Sequence, residues 1–374
     1  MHVYLDNNAT TPLREEVKKA YINALDIWGN PSSIHMLGQQ SKSAVDDARR
    51  KVASLFSVRS EQVIFTSGGS EANTLALCGA MEASGERRLV ISPTEHPSVY
   101  NMAHSLANEN KCILSELLVD SNGIINTPSL EAFLKKGDVA LVSVMYANNE
   151  TGIIQPIDKI SDLCLQYGVP LHIDAVQAAG KIALDFNKLH VDLLSISFHK
   201  MGGPKGVGSL IVNSQIPMKP VQVGGGQERN RRAGTENIPA IVAAGVTAEE
   251  VQNKMQEEYE SIAKLHLILE EGLKNISDKI IIVGEQAQRM ATTTCFIDKN
   301  ITAETSLMAL DIEGICVSSG SACSSGKVEP SHVLLACGYS KDEALSALRV
   351  SIGRQNTAED INTFLNTFKK IRNI

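Results

Sequence analysis

From residue 60 to about 215 the chain alternates short apolar runs with longer stretches of helical periodicity. Runs at 63–66, 89–92, 112–117, 139–145, 170–174, 192–196 and 208–212 read as strands. Several, such as the Val-Ala-Leu-Val-Ser-Val-Met of 139–145, are apolar almost throughout, the pattern of a strand covered on both faces. Strands of this kind separated by helices make βαβ units and a mostly parallel sheet. Beyond Gly245 the pattern changes. Val251, Met255, Tyr259, Ile262, Leu265, Leu269 and Leu273 recur at helical spacing in a charged stretch, which predicts one long helix over 246–275. Further strands are expected at 279–283, 292–297, 315–318 and 348–352, with helices near 303–311, 341–347 and 358–371. The expected fold is therefore α/β: a large domain on a mostly parallel seven-stranded sheet, followed by a smaller α+β domain.

Composition narrows the function classes. The chain has 374 residues, 43% of them hydrophobic and 21% charged, which excludes wholesale disorder. A formal net charge of −7 argues against direct nucleic-acid binding. The cluster Arg229/Arg231/Arg232 has no interleaved aromatics and reads better as a phosphate-binding or interface feature. No apolar run approaches the length of a membrane span. The first residues lack the basic and apolar regions of an export signal, and seven cysteines without a C-x-x-C pair fit reduced thiols. A cytoplasmic location is expected.

The candidate chemistry sits just after the expected strands, where open α/β sheets bind ligands. After 192–196 comes Ser197-Phe198-His199-Lys200-Met201-Gly202-Gly203-Pro204-Lys205-Gly206. Taken alone, Lys200 would be a surface lysine in a Gly-rich loop. In a cleft its amine can form a Schiff base once its pKa is depressed. Asp174 closes the strand 170–174 in His172-Ile173-Asp174-Ala175-Val176-Gln177. A carboxylate among apolar neighbours is costly unless paired, and a protonated pyridine nitrogen is a suitable partner; a helix cap is the plainer alternative. Thr66-Ser67-Gly68-Gly69-Ser70-Glu71-Ala72-Asn73 places glycines and a hydroxyl at a helix start, a phosphate cradle. Thr94-Glu95-His96-Pro97-Ser98 and Asn148-Asn149-Glu150-Thr151-Gly152 follow two further strands. His96 can stack on a ring and carry protons near neutrality.

With these motifs in this order the chain resembles the class V pyridoxal-phosphate enzymes, specifically the cysteine desulfurases of nitrogen fixation and iron–sulfur cluster assembly. The likeness runs from Tyr4-Leu5-Asp6-Asn7-Asn8-Ala9-Thr10-Thr11 to Leu348-Arg349-Val350-Ser351. It implies a type I transferase fold, with 14–250 as the cofactor-binding domain and 1–13 with 251–374 as the small domain. It implies pyridoxal 5'-phosphate held covalently by Lys200, with Asp174 on the ring nitrogen and Gln177 on the phenolic oxygen. His96 would stack on the ring and shuttle protons. Gly69, Ser70, Ser197 and His199 would bind the phosphate, and Asn149 would contact cofactor or substrate. Thr235 would reach the phosphate of a second subunit, which implies a homodimer with shared sites. Arg349, with Arg354 as a helper, would clamp the carboxylate of L-cysteine.

Cys323 separates a desulfurase from an aminotransferase. It lies in Ser318-Ser319-Gly320-Ser321-Ala322-Cys323-Ser324-Ser325-Gly326, where small polar neighbours offer no apolar anchor. A buried structural cysteine is the usual alternative. That alternative suits Cys78 and Cys295 better. The implied reaction takes L-cysteine to L-alanine and leaves sulfur as a persulfide on Cys323 for an acceptor protein, such as an iron–sulfur scaffold. About 20 residues follow Arg354, fewer than in relatives that dock a scaffold through a longer C-terminal tail, so the resemblance implies the catalysis but not that docking. Selenocysteine lyase and aminotransferase are the enzymatic alternatives. An iron–sulfur carrier using Cys316, Cys323 and Cys337 is the alternative of another class, with Cys323 as a transient metal ligand.

Overall fold

A computed structural model describes residues 2–320 and 329–372. Its first strand, β1 (Val3–Tyr4), is too short to show in the sequence pattern. The next seven strands build the large sheet: β2 (Val63–Thr66), β3 (Arg88–Ile91), β4 (Ile113–Glu116), β5 (Val139–Met145), β6 (Leu171–Asp174), β7 (Leu193–Ser197) and β8 (Gly208–Val212). They lie in the order β2-β8-β7-β6-β5-β3-β4. Each falls within a residue or two of its expected run. Strand β8 is antiparallel to both its neighbours, β7 and β2; the other pairings of this sheet are parallel. Strands β5, β6, β7 and β8 are buried along their whole lengths, as the near-continuous apolar runs require. The consequence for function is geometric. The carboxyl ends of β2, β3, β5, β6 and β7 all open at one edge of the sheet, and the five polar motifs follow them there.

The remaining strands are β9 (Ile281–Ile282), β10 (Thr293–Ile297), β11 (Ile315–Cys316), β12 (Ser318–Ser319) and β13 (Ala347–Ser351). Strands β12-β13-β10-β9 form an antiparallel sheet, while β11 pairs in parallel with β1. The single strand expected at 315–318 is thus two strands in two sheets. Residues 315–316 pair with β1 and residues 318–319 with β13, Val317 standing between the two strands. Leu5 follows β1 into a core with Phe296, Phe364 and Phe368, whose rings pack at centroid separations of 5.2 to 6.4 Å. Truncating one of these rings to alanine costs roughly 3–5 kcal/mol.

The long helix spans Ile238–Ile276, starting eight residues before the expected 246. Its first turns are apolar on all sides, so they carry no helical periodicity to read. Asn237 caps it, accepting from the Ala240 N–H, and Pro239 occupies the first turn. Ile241, Ala244, Ala248 and Val251 pack into the core of the large sheet. Ile262, Leu269 and Leu273 pack into the core with Leu5 and Phe296. One rigid helix therefore ties the two cores together. Among the described residues, no helix is long and apolar enough to cross a membrane.

Candidate active site

The strand ends enclose a cleft of about 730 Å³. Gly69 and Ser70 reach it after β2, His96 after β3, Asn149 after β5, Asp174 and Gln177 at and after β6, and Ser197, His199 and Lys200 at the end of β7. Arg349, from the middle of β13, closes it from the small sheet. Nine of the large-domain residues singled out in the sequence, with Arg349, therefore share one cavity.

Asp174 is buried, and both its oxygens accept hydrogen bonds: Oδ2 from Asn73 Nδ2 at 2.8 Å, Oδ1 from the Val176 N–H at 2.9 Å. These two donors hold the carboxylate in place at the cleft. Lys200 Nζ donates to the carbonyls of Asn8 at 2.5 Å and Ala9 at 2.8 Å. Burial and the Arg349 charge push its pKa down to about 8, against the pull of Asp6 and Asp174. A fraction of this lysine is thus a free amine near neutral pH, the form a nucleophile needs.

His96 caps the helix Pro97–Asn108. The Ser98 N–H donates to its Nδ1 at 3.1 Å. A backbone N–H can only donate, so the neutral ring carries its proton on Nε2. Burial lowers the His96 pKa, with Asp174 opposing and Lys200 and His332 adding to the effect. His199 Nδ1 meets Thr10 Oγ1 at 3.1 Å, and burial beside Lys200 lowers its pKa to about 4. Ser197 Oγ is buried with no hydrogen-bond partner among the described residues. Gly69 is packed so tightly that a Cβ would stand 2.8 Å from Val176 Cγ2 and 3.3 Å from Ser197 Cβ. An orphaned hydroxyl, a bare backbone at a helix start and a neutral imidazole together suit a phosphate.

Arg349 is buried and in use. Its Nη2 donates to Asp6 Oδ1 at 2.7 Å and its Nη1 to the Asn149 carbonyl at 3.1 Å, while Nε has no partner among the described residues. Two residues expected at the site do not line this cleft. Arg354 donates to the Pro12 carbonyl at 2.7 Å and lines a small cavity beside the cleft that Lys200 also lines. Thr235 is exposed and does not line the cleft of its own chain. Cys323 lies outside the described residues. Ser318, Ser319 and Gly320 before it and Glu329, Pro330 and Ser331 after it line the cleft.

Sequence reasoning missed several members. Asn8 accepts from Lys200 and Gln177 through its carbonyl, and its Nδ2 donates to Asn149 O and Thr293 Oγ1. Asn73, Asp6 and Lys181 were likewise unassigned. Asn8 and Asn73 lie inside the motifs quoted above, so position within a motif was the available signal.

The aminotransferase class-V family model matches residues 3–364. The chain belongs to the class-V aminotransferase family. It is 40% identical over 374 residues to "Cysteine desulfurase IscS" of Dictyoglomus turgidum, covering 99% of this chain and 94% of that one. A protein of the same title from Methanosarcina thermophila is 39% identical, covering 99% and 91%. Among solved structures, one titled "NIFS-LIKE PROTEIN" superposes with a TM-score of 0.93 at 33% identity, covering 99% of both chains. Membership of this family implies pyridoxal phosphate as cofactor, and the donor set of the cleft fits that group.

Proposed function

We propose that the chain is a pyridoxal-phosphate-dependent cysteine desulfurase whose working groups are Lys200, Asp174, Gln177, His96, Arg349 and Cys323. The carrying observation is the meeting of a pKa-depressed lysine, a buried carboxylate and an unpaired phosphate-type cradle in one cleft. Lys200 would hold the cofactor covalently, Asp174 its ring nitrogen, Gln177 its phenolic oxygen, and Gly69, Ser70, Ser197 and His199 its phosphate. When bound, the cofactor supplies a sink for the electron pair released at the substrate α-carbon. The chain does the rest. Arg349 orients the carboxylate of L-cysteine with its guanidinium. Lys200 Nζ, released when substrate enters, takes the α-proton. His96 holds a proton on Nε2, because Nδ1 is committed to Ser98. The Cys323 thiolate attacks the substrate sulfur; the carbon–sulfur bond breaks, a persulfide remains on Cys323, and protons returned to carbon give L-alanine.

The other cysteines support that choice of nucleophile. Burial raises the thiol pKa of Cys78, Cys112, Cys164, Cys295, Cys316 and Cys337, in Cys164 and Cys337 to about 12. A thiol held neutral is a poor nucleophile. We also assign a homodimer in which Thr235 of each chain serves the other's phosphate site. Trp28, Ile34 and Val223 are 75, 93 and 83% exposed, apolar surface of the kind an interface covers. The small domain is assigned 1–13 and 251–374, the boundary falling within the long helix. The nucleophile must be a free thiol, which a reducing compartment maintains, so the cytoplasm is the expected location, and a sulfur-accepting protein the expected partner.

Cys323→Ser tests the assignment. Mixed with L-cysteine, this variant is expected to change the visible absorbance of the holoenzyme while forming no alanine. Alanine at the wild-type rate would reject Cys323 as nucleophile; an absorbance indifferent to cysteine would move the thiol into the binding site.

A further inference from the structure

Gln177 is approached from two sides. It lines the cleft, whereas Lys181 lines a separate cavity of about 40 Å³ behind it, with Arg14, Glu258 and Arg354. Lys200 lines both spaces. The turn between Gln177 and Lys181 is held tightly against the residue after Lys200. Gly180, at φ +75°, lies where a Cβ would stand 2.6 Å from Met201 Cβ, so a side chain there is excluded both by space and by conformation.

Lys181 Nζ donates to Gln177 Oε1 at 2.7 Å and to Asn8 Oδ1 at 3.3 Å. On its other end Gln177 Nε2 donates to the Asn8 carbonyl at 3.0 Å. An ammonium has only donors and a backbone carbonyl has only lone pairs. The two ends of the carboxamide therefore meet partners of opposite demand, and a flip would set N–H against ammonium and oxygen against oxygen. With Oε1 held back by Lys181 and one Nε2 hydrogen used on Asn8, the group left to the cleft is the second N–H of Nε2. The same lysine fixes the Asn8 carboxamide, whose Nδ2 is then free to donate to Thr293 Oγ1 at 2.8 Å and Asn149 O at 3.0 Å.

We propose that Lys181 is a positioning residue that locks the Gln177 carboxamide so that it presents a hydrogen-bond donor, and never an acceptor, to an anionic ring oxygen in the cleft. This rests on reading the cleft as the pyridoxal-phosphate site. Lys181 itself does not line the cleft and is no alternative to Lys200 for holding the cofactor. Two further charges face it, Lys200 and Arg349; with burial they bring its pKa down to about 7. A neutral amine also carries a lone pair, so once Lys181 is deprotonated the orientation rests on the Asn8 carbonyl, which can only accept from Gln177 Nε2.

The test is the pH titration of visible absorbance in chains loaded with pyridoxal phosphate. Weakening a donor to an anionic oxygen raises the proton affinity of the group it serves. Lys181→Met is expected to move the titration midpoint upward by about one unit, the size of one hydrogen bond to a charged group. Lys181→Arg should restore it. In a Gln177→Leu background the Lys181→Met shift should shrink by more than half, because the lock then has nothing to hold. An unmoved midpoint in Lys181→Met overturns the proposal. A shift equally large without Gln177 also overturns it, since Lys181 would then act on Lys200 directly by charge. Should Lys181→Met fail to fold, Lys181→Leu, which likewise removes the donor, is read by the same outcomes. A wild-type chain that gains no visible band with pyridoxal phosphate overturns the cofactor reading itself, whatever the variants do.

Discussion

Two groups of buried polar atoms, one inside the large sheet and one at the cleft beside it, behave differently. Inside the sheet, Ser143 Oγ meets His172 Nδ1 at 2.8 Å and His172 Nε2 meets Ser195 Oγ at 2.9 Å, all three fully buried. Every polar atom of that imidazole is served, and burial drives its pKa down to about 3. At the cleft, by contrast, Ser197 Oγ, Asn73 Oδ1 and Arg349 Nε are buried without partners among the described residues, Ser197 lying two positions beyond Ser195 on the same strand. Closed networks stabilise a fold. Buried atoms left open cost stability unless a ligand completes them. Ser195 and Ser197 are alike in type and burial, and what differs between them is whether the chain itself satisfies the hydroxyl.

Substitutions put this contrast under test. The largest effect is expected at Lys200. Lys200→Ala should lose the visible absorbance of the holoenzyme and essentially all alanine formation, measured together by spectrum and product assay. A coloured, active variant would shift the role to Lys205. Next is Asp174→Asn, which is nearly isosteric but loses the charge and one of the two acceptors that Asn73 and Val176 use. Turnover is expected to fall by about 10²-fold with little change in cysteine affinity, in steady-state kinetics.

A matched pair tests the contrast directly. Ser197→Ala should weaken cofactor retention about tenfold on dialysis, with no loss of stability in the cofactor-free chain. Ser195→Ala should do the reverse. It leaves His172 Nε2 unpaired and is expected to cost about 1–3 kcal/mol in denaturant unfolding, with cofactor retention unchanged. Equal behaviour of the two serines would erase the distinction.

Glu150 stands between the two classes, and its effect is confined to the pH dependence of stability. It is buried, Ser331 Oγ donates to it, and burial raises its pKa from 4.5 to about 7. Between those values the folded chain holds a proton that the unfolded chain has lost, so stability should fall as pH rises from 4.5 to 7 and level off above. Glu150→Gln should remove that part of the slope of unfolding free energy against pH.

Much of the fold is legible in the order of residues alone. The seven strands of the large sheet announce themselves because a strand buried on both faces must be apolar along its length. The motifs after them are visible because polar residues interrupt those runs abruptly. Pairing is less legible. The split of 315–318 into β11 and β12 follows from which partners are available, and nothing local in Ile315-Cys316-Val317-Ser318 records that. The cavity that Arg354 lines is illegible for a related reason: a guanidinium near the end of the same segment as Arg349 says nothing about which cavity it faces.

Residue order therefore suffices for the fold class, the family and the choice of Lys200, Asp174, Gln177, His96 and Arg349 as cleft residues, because each follows from residue type at a strand end or from motif order. What holds them in place comes from tertiary packing. Asn8 meets Gln177 across 169 positions and Lys200 across 192, and Asp6 meets Arg349 across 343. Most of those contacts use the backbone carbonyl of Asn8. Every residue has such a carbonyl, so a sequence carries no mark of the one that matters; its place comes from β1 pairing with β11 and carrying the following loop over the open ends of the large sheet.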